Sequence, residues 1–351
     1  MQESARWLFP RDRQGFWQYV LQNEEHVQEI RLRVDKPVLI RRMEGDCYLD
    51  EQGRFTESKD KAYCSGQQEL ENILMHICHD SPYAFEDELR QGFITVPGGH
   101  RVGVAGQVVL EEDGSVRTLK HVYYMNIRFA HQIYGVAKQV LPYVYREGIL
   151  QNTLIISPPG CGKTTMLREL VRCISEGSDY GSGLHVGVVD ERSEIAGSYL
   201  GVPQNDLGSR TDVLDACPKA LGMMMLLRSM SPQVIAVDEL GNDEDVEALM
   251  AAAACGSKIL ATVHGTGLRD VEERFPKLCE QILFECVIVL GRRYGRPGVE
   301  EIYGKEAVHA SSGGNHDYGR MSGTWNLVSG TIYRKNSDNA QAGLYFRNAQ
   351  K

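Results

Sequence analysis

Thr153–Thr165 reads TLIISPPGCGKTT, an apolar, β-branched run that breaks at Pro-Pro-Gly-Cys-Gly and opens a helical stretch near Lys163. Strand, glycine-containing turn, then helix is the context in which a phosphate loop works. Glycines let successive backbone amides wrap a phosphate, and the amino end of the helix adds partial positive charge. The lysine reaches the β and γ phosphates, and the hydroxyl after it binds magnesium. On this pattern Pro158, Pro159, Gly160, Cys161, Gly162, Lys163, Thr164 and Thr165 are candidate contacts to ATP, and Thr164 is a candidate Mg2+ ligand. One position departs: G-x-x-x-x-G-K-[ST] begins with Gly where this chain has Ser157. A bare G-K-T is common among proteins, so the weight falls on the strand ends downstream of it.

Three further apolar runs end in polar residues. QVIAVDEL ends in Asp238 and Glu239, LHVGVVDERSEI in Asp190 and Glu191 with Glu194 close behind, and KILATVHG in Thr262 and His264. A carboxylate at Asp238 suits magnesium, and one at Glu239 or Glu191 can polarise or position an attacking water. A donor at His264 can sense the γ-phosphate. Alternation of short strands and helices from Asn152 onward predicts an α/β core over 146–306, and the phosphate loop followed by two acidic strand ends and a terminal histidine makes it RecA-like. Its sheet is expected to be mainly parallel, with active groups at the carboxyl ends of the strands.

Ahead of it, residues 1–145 read as a smaller α+β domain. Leu70, Ile73, Leu74 and Ile77 have helical spacing, Ile30, Leu32 and Val34 alternate as in a half-buried strand, and GFITV, HRVGVAGQVVL and VYYMNIRFA continue the domain as strands. Residues 307–351, rich in Gly, Ser and Asn, are expected to be a poorly ordered tail.

The 351 residues are 42% hydrophobic and 24% charged, an ordinary globular balance, and the net charge of −9 weakens a nucleic-acid reading. The start carries no secretory pattern and no run approaches the ~20 apolar residues of a membrane helix, so a cytoplasmic chain with at most peripheral membrane association is expected. Nine scattered cysteines without a C-x-x-C read as small buried hydrophobes. His76, Cys78, His79 and Asp80 have metal-like chemistry but close an amphipathic helix, which favours a structural role. The methionines from Met223 to Met230 read as core or subunit contacts. GRRYGR reads as a solvated hairpin whose arginines can also reach phosphate.

The order SPPGCGKTTMLREL, VVDERSEIAG, VIAVDELG, ATVHG resembles the Walker A, Asp box, Walker B and His box of type II and type IV secretion ATPases. With LRVDKPVLI, GGHRVGVAGQVV and NIRFAHQIYGVA it resembles the stage III sporulation protein AA family over about residues 30–300. That resemblance implies an ATP-hydrolysing homo-hexamer at the mother-cell face of a channel into the forespore, with membrane proteins of that channel as partners. Position by position it implies Lys163 and Thr164 at nucleotide and magnesium, Asp238 and Glu239 as Walker B acids, Glu191 in the Asp box, His264 in the His box, and Arg228 as the arginine preceding Walker B. Arg101, Arg128 and Arg210 become candidate phosphate contacts across a subunit boundary. Two other readings share the core: an ATPase stimulated by single-stranded nucleic acid, and a nucleotide-gated scaffold without turnover.

Overall fold

A computed structural model describes residues 5–276, 284–293, 296–304 and 326–332. The chain forms two compact units, one of residues 1–132 with 197–205, the other of residues 133–196 with 206–351.

The first unit is built on a seven-stranded antiparallel sheet. Its strands are β1 (Val27–Arg33), β2 (Leu39–Arg42), β3 (Gly45–Leu49), β4 (Phe55–Thr56), β5 (Phe93–Val96), β6 (His100–Leu110) and β7 (Val116–Arg128), in the order β4-β3-β2-β1-β7-β6-β5. Alternation does the sorting. Val27, Ile30 and Leu32 of β1 are buried while Arg31 and Arg33 stay partly exposed. The register shift between Val27 and Glu29 returns the apolar set to one face. Helices α1 (Gln14–Gln22) and α2 (Gln67–Ile77) supply the rest of the core through Trp17, Val20, Leu70, Ile73 and Ile77. The ring of Trp17 stacks on Phe9 at 4.3 Å. The long β6–β7 hairpin bends at Gly106, where a Cβ would fall 2.2 Å from the His121 carbonyl oxygen. His76 and His79, whose spacing hinted at a metal, instead meet the Trp7 carbonyl oxygen and the Tyr199 hydroxyl, each at 2.7 Å.

The second unit holds an eight-stranded mixed sheet. Its strands are β8 (Thr153–Ser157), β9 (Val186–Asp190), β10 (Thr211–Asp215), β11 (Val234–Val237), β12 (Lys258–His264), β13 (Cys286–Arg293), β14 (Arg296–Gly304) and β15 (Asn326–Ile332). In the order β10-β9-β11-β12-β8-β13-β14-β15 the first six are joined in parallel, and the last two add antiparallel. The central strands β8, β9 and β11 are buried on both faces and read as near-continuous apolar runs. Ile155, Val188, Ala236, Leu260 and Ile288 face α3 (Lys163–Glu176), which packs through Leu167, Leu170, Val171 and Ile174. Leu154, Ile156, Val189, Ile235, Val237 and Val263 face α4 (Lys219–Ser229) and α5 (Asp243–Ala254). Of the methionines on α4, Met223 is buried, while Met225 and the adjacent Met230 are exposed. Asn242 caps α5 by accepting from the Asp245 amide at 2.8 Å.

Two organisational expectations need correction. The chain changes unit after Gln132 rather than at residue 145, because Ala137, Val140, Leu141, Val144 and Tyr145 are buried in the core of the second unit. Within the supposed tail, Asn326–Ile332 is a strand laddered on β14; the rest of 307–351 lies outside the described residues. Nothing in the residue pattern signalled that Gly197–Asn205 belongs with the first unit, where the Gly98 amide donates to Gln204 Oε1 at 2.8 Å.

His100 at the start of β6 is 5% exposed, its Nδ1 accepting the Ala130 amide at 3.0 Å and its ring lying 5.2 Å from Phe129. Burial, with a smaller push from His131, lowers its pKa from an ordinary 6.5 to about 4. A depressed histidine contributes stability that is whole above about 6.5 and lost as pH falls toward 4. The difference between those values makes the loss on the order of 3 kcal/mol. Urea denaturation of the first unit between those pH limits should therefore be markedly less pH-dependent in His100→Asn, whose amide oxygen can take over from Nδ1. An unchanged slope would assign the acid sensitivity to other groups.

Candidate functional site

Strands β9, β11, β12 and β8 are consecutive neighbours and point the same way, so their carboxyl ends bring Asp190, Asp238, His264 and the Ser157–Thr164 loop to one edge of the sheet. Ser157 lies opposite His264 in the register. Gly160 (φ +70°) and Gly162 (φ +87°) take the left-handed backbone that non-glycine residues resist, whereas Ser157 does not. Serine at the loop's first position is thus sterically ordinary, and its hydroxyl donates to the Pro158 carbonyl at 2.8 Å. Helix α3 starts at Lys163 behind Gly162, which offers no side-chain cap. Cys161 is buried, and Pro159 and Gly160 are exposed.

Asp238 gathers the loop. Its Oδ2 accepts the Thr164 hydroxyl at 2.6 Å, its Oδ1 lies 3.3 Å from Lys163 Nζ, and the buried Thr262 hydroxyl donates to the same Oδ1. Thr262 in turn accepts the Glu239 amide at 2.9 Å. Glu239 sits at φ +59°, a costly conformation for a residue with a Cβ. Its carboxylate reaches His264 Nε2 at 2.8 Å, Arg192 Nη1 at 3.0 Å and Lys163 Nζ at 3.9 Å. His264 is held from behind by the Ser157 carbonyl at 3.3 Å from Nδ1. The hydroxyl of Thr164 and the carboxylate of Asp238 form a hard-oxygen pair. That suits Mg2+, which takes few protein ligands and keeps waters and phosphate oxygens.

Asp190 and Glu191 divide their work. Asp190 is 2% exposed, and its carboxylate accepts the amides of Glu194 (2.8 Å), Ile195 (3.0 Å) and Ala196 (2.8 Å). Burial raises its pKa and those three bonds oppose the rise. From α3, Arg168 donates to the carbonyls of Ile195 at 2.7 Å and Glu194 at 2.6 Å. Desolvation lowers the Arg168 pKa, with Asp190, Asp238 and Glu194 opposing. One loop is thus gripped by its N–H groups from β9 and by its C=O groups from α3. Glu191 is ion-paired with Lys219, and both line a small pocket with Asp190, Arg192, Asp238 and Glu239.

Four expected arginines take other positions. Arg228 lies in the last turn of α4, which runs back toward the amino end of β11, so the crossover carries it to the edge opposite Asp238. Arg210 donates to the Ser175 carbonyl at 2.9 Å, bracing the end of α3. Arg101 stacks over Phe93 at 4.7 Å and is paired in register with Arg128 within the first unit. Sequence reasoning missed Arg168, Lys219 and Arg192. The one signal for Arg168 was its spacing, four residues after Thr164 and so on the same helical face.

Among solved structures, the fold is similar to that of the Yersinia pseudotuberculosis ATPase DotB (TM-score 0.54, 16% identity, covering 84% of this chain and 79% of that one). It is similar also to the pilus retraction motor PilT with bound ADP (TM-score 0.54, 18% identity, covering 78% and 77%). By sequence, stage III sporulation protein AA of Bacillus subtilis (strain 168) is 42% identical over 282 residues, 80% of this chain and 87% of that protein. Residues 12–309 match the family described as sporulation stage III, protein AA, and the chain belongs to that family.

Proposed function

We propose that this chain is an ATP-hydrolysing, RecA-like motor that works as a homo-hexamer on the mother-cell side of a sporulation channel, attached to the membrane through channel proteins. The observation that carries the reading is the bonded set Lys163, Thr164, Asp238, Glu239, Thr262 and His264 at the ends of three adjacent strands. The likeness in fold to the ATPase DotB and to the pilus retraction motor PilT supports the motor, and family membership supports the sporulation setting. Among the described residues no helix is long and apolar enough to cross a membrane, which suits attachment through partners.

In this reading Lys163 would hold the β and γ phosphates, and Thr164 and Asp238 would hold Mg2+, which would supply neutralisation of developing charge on the phosphate oxygens. Glu239 orients the attacking water and accepts its proton. His264 competes for the Glu239 carboxylate and so registers whether that proton has moved. Arg192 and the Glu191–Lys219 pair shape the same pocket from the Asp190 loop. Asp190 and Arg168 act on that loop, not on the nucleotide, by fixing its backbone.

Lys163→Ala should abolish nucleotide binding. Glu239→Gln should keep ATP binding and lower turnover by about 10²–10⁴-fold, the usual yield of a general base. Equilibrium binding together with phosphate release reads both, and undiminished turnover in either purified variant overturns the assignment. Asp190→Ala strands the buried amides of Ile195 and Ala196 and the part-buried amide of Glu194. At roughly 1–3 kcal/mol for each buried unsatisfied group it should cost at least about 2 kcal/mol in chemical denaturation, with Asp190→Asn costing less because one acceptor oxygen remains.

A further inference from the structure

We infer that Arg292, from a different strand, is a positioning residue that sets the direction of the phosphate-loop amides. The inference rests on reading Ser157–Thr164 as a phosphate cradle. Strand β13 lies beside β8 in parallel, with Thr153 opposite Cys286 and Ile156 opposite Val289, so its far end emerges next to the start of the loop. Side chains alternate along β13. Cys286, Ile288 and Leu290 join the core on the side of Cys161 and Leu167, and the same parity places Arg292 on that side, one step beyond the last buried residue.

From this position Arg292 Nη2 donates to the Gly160 carbonyl at 2.9 Å. A peptide unit is planar and trans, so a carbonyl and the amide that follows it point in opposite directions. Holding the Gly160 oxygen toward Arg292 therefore turns the Cys161 N–H the other way. Cys161 lies between two residues in left-handed backbone, Gly160 at φ +70° and Gly162 at φ +87°. Such an alternation makes consecutive amides converge on an anion. Without the brace, the flexibility of Gly160 leaves that peptide free to rotate, and an amide needed by the β-phosphate spends part of its time turned away. Because Arg292 is exposed, the brace carries little desolvation cost, and its remaining N–H groups add positive charge outside the loop.

The test is nucleotide binding by the purified full chain, read with fluorescent ribose-labelled ATP, ADP and AMP. Arg292→Ala should weaken ATP and ADP about tenfold and AMP much less, because AMP has no β-phosphate. Its thermal unfolding should match the wild type. In turnover assays KM should rise about tenfold with a smaller change in kcat, and Arg292→Lys, which still offers an N–H donor, should recover part of the loss. If Arg292→Ala binds ADP within twofold of wild type while Lys163→Ala does not bind it, the inference is overturned and the phosphate loop stands. If both variants bind ADP like the wild type, the phosphate-loop reading falls and the inference with it. Equal weakening of ATP, ADP and AMP also overturns it, because that pattern reports general distortion of the site.

Discussion

The carboxylate of Asp238 joins segments of chain that are far apart in sequence. It takes the Thr164 hydroxyl from the start of α3, the Thr262 hydroxyl from β12 and the Lys163 ammonium from the loop, while its own backbone continues β11. A charged group this close to the core is tolerable because its oxygens are met by hydroxyl donors and by a cation, as burial of charge demands. The parallel sheet makes the meeting possible. Strands that run the same way end at the same edge, so the polar residue after each apolar run arrives beside the others without any long-range design of loops.

A second layer of charge stabilises backbone instead of ligand. Asp190 and Arg168 address the same short loop from opposite sides, one through amides and the other through carbonyls. Each would be costly to bury alone, and each offsets the other's field. The gripped residues end at Ala196, and the next residue begins the Gly197–Asn205 segment that belongs with the first unit. That segment is held there by the Tyr199–His79 and Gln204–Gly98 bonds and returns to the second unit at Asp206.

Much of this was legible in the sequence because periodicity and strand-end chemistry are local signals. The apolar runs ending in Asp238, Glu239, Asp190 and His264 mark both the sheet and its reactive edge, and the glycine spacing around Cys161 marks the turn. What the sequence hid depends on direction and distance. Arg228 is near Walker B in sequence, but a helix must run back along the sheet before the next strand starts, which takes it to the other edge. Arg168 looked like an ordinary helical arginine, and its function depends on where the loop after β9 folds. The strand at Asn326–Ile332 was obscured by its Gly- and Ser-rich surroundings, yet its own NLVSGTI is β-branched enough to extend an open antiparallel edge.

Glu239 shows how the site holds a conformation that its residue type resists. A left-handed glutamate costs on the order of 1–3 kcal/mol, and glycine would remove that cost along with the carboxylate. The strain persists because the Glu239 amide is bonded to the Thr262 hydroxyl and the next amide, of Leu240, donates to the Thr262 carbonyl at 2.8 Å. Thr262 thus holds the residue by both its hydroxyl and its main chain. With the backbone pinned in this way, the carboxylate is directed between His264 and Arg192 and away from the end of β11. Hydroxyl and carboxylate placement are one problem here: the Thr262 side chain that fixes the Glu239 backbone also donates to Asp238, so a shift at either acid is felt at the other through a single buried hydroxyl.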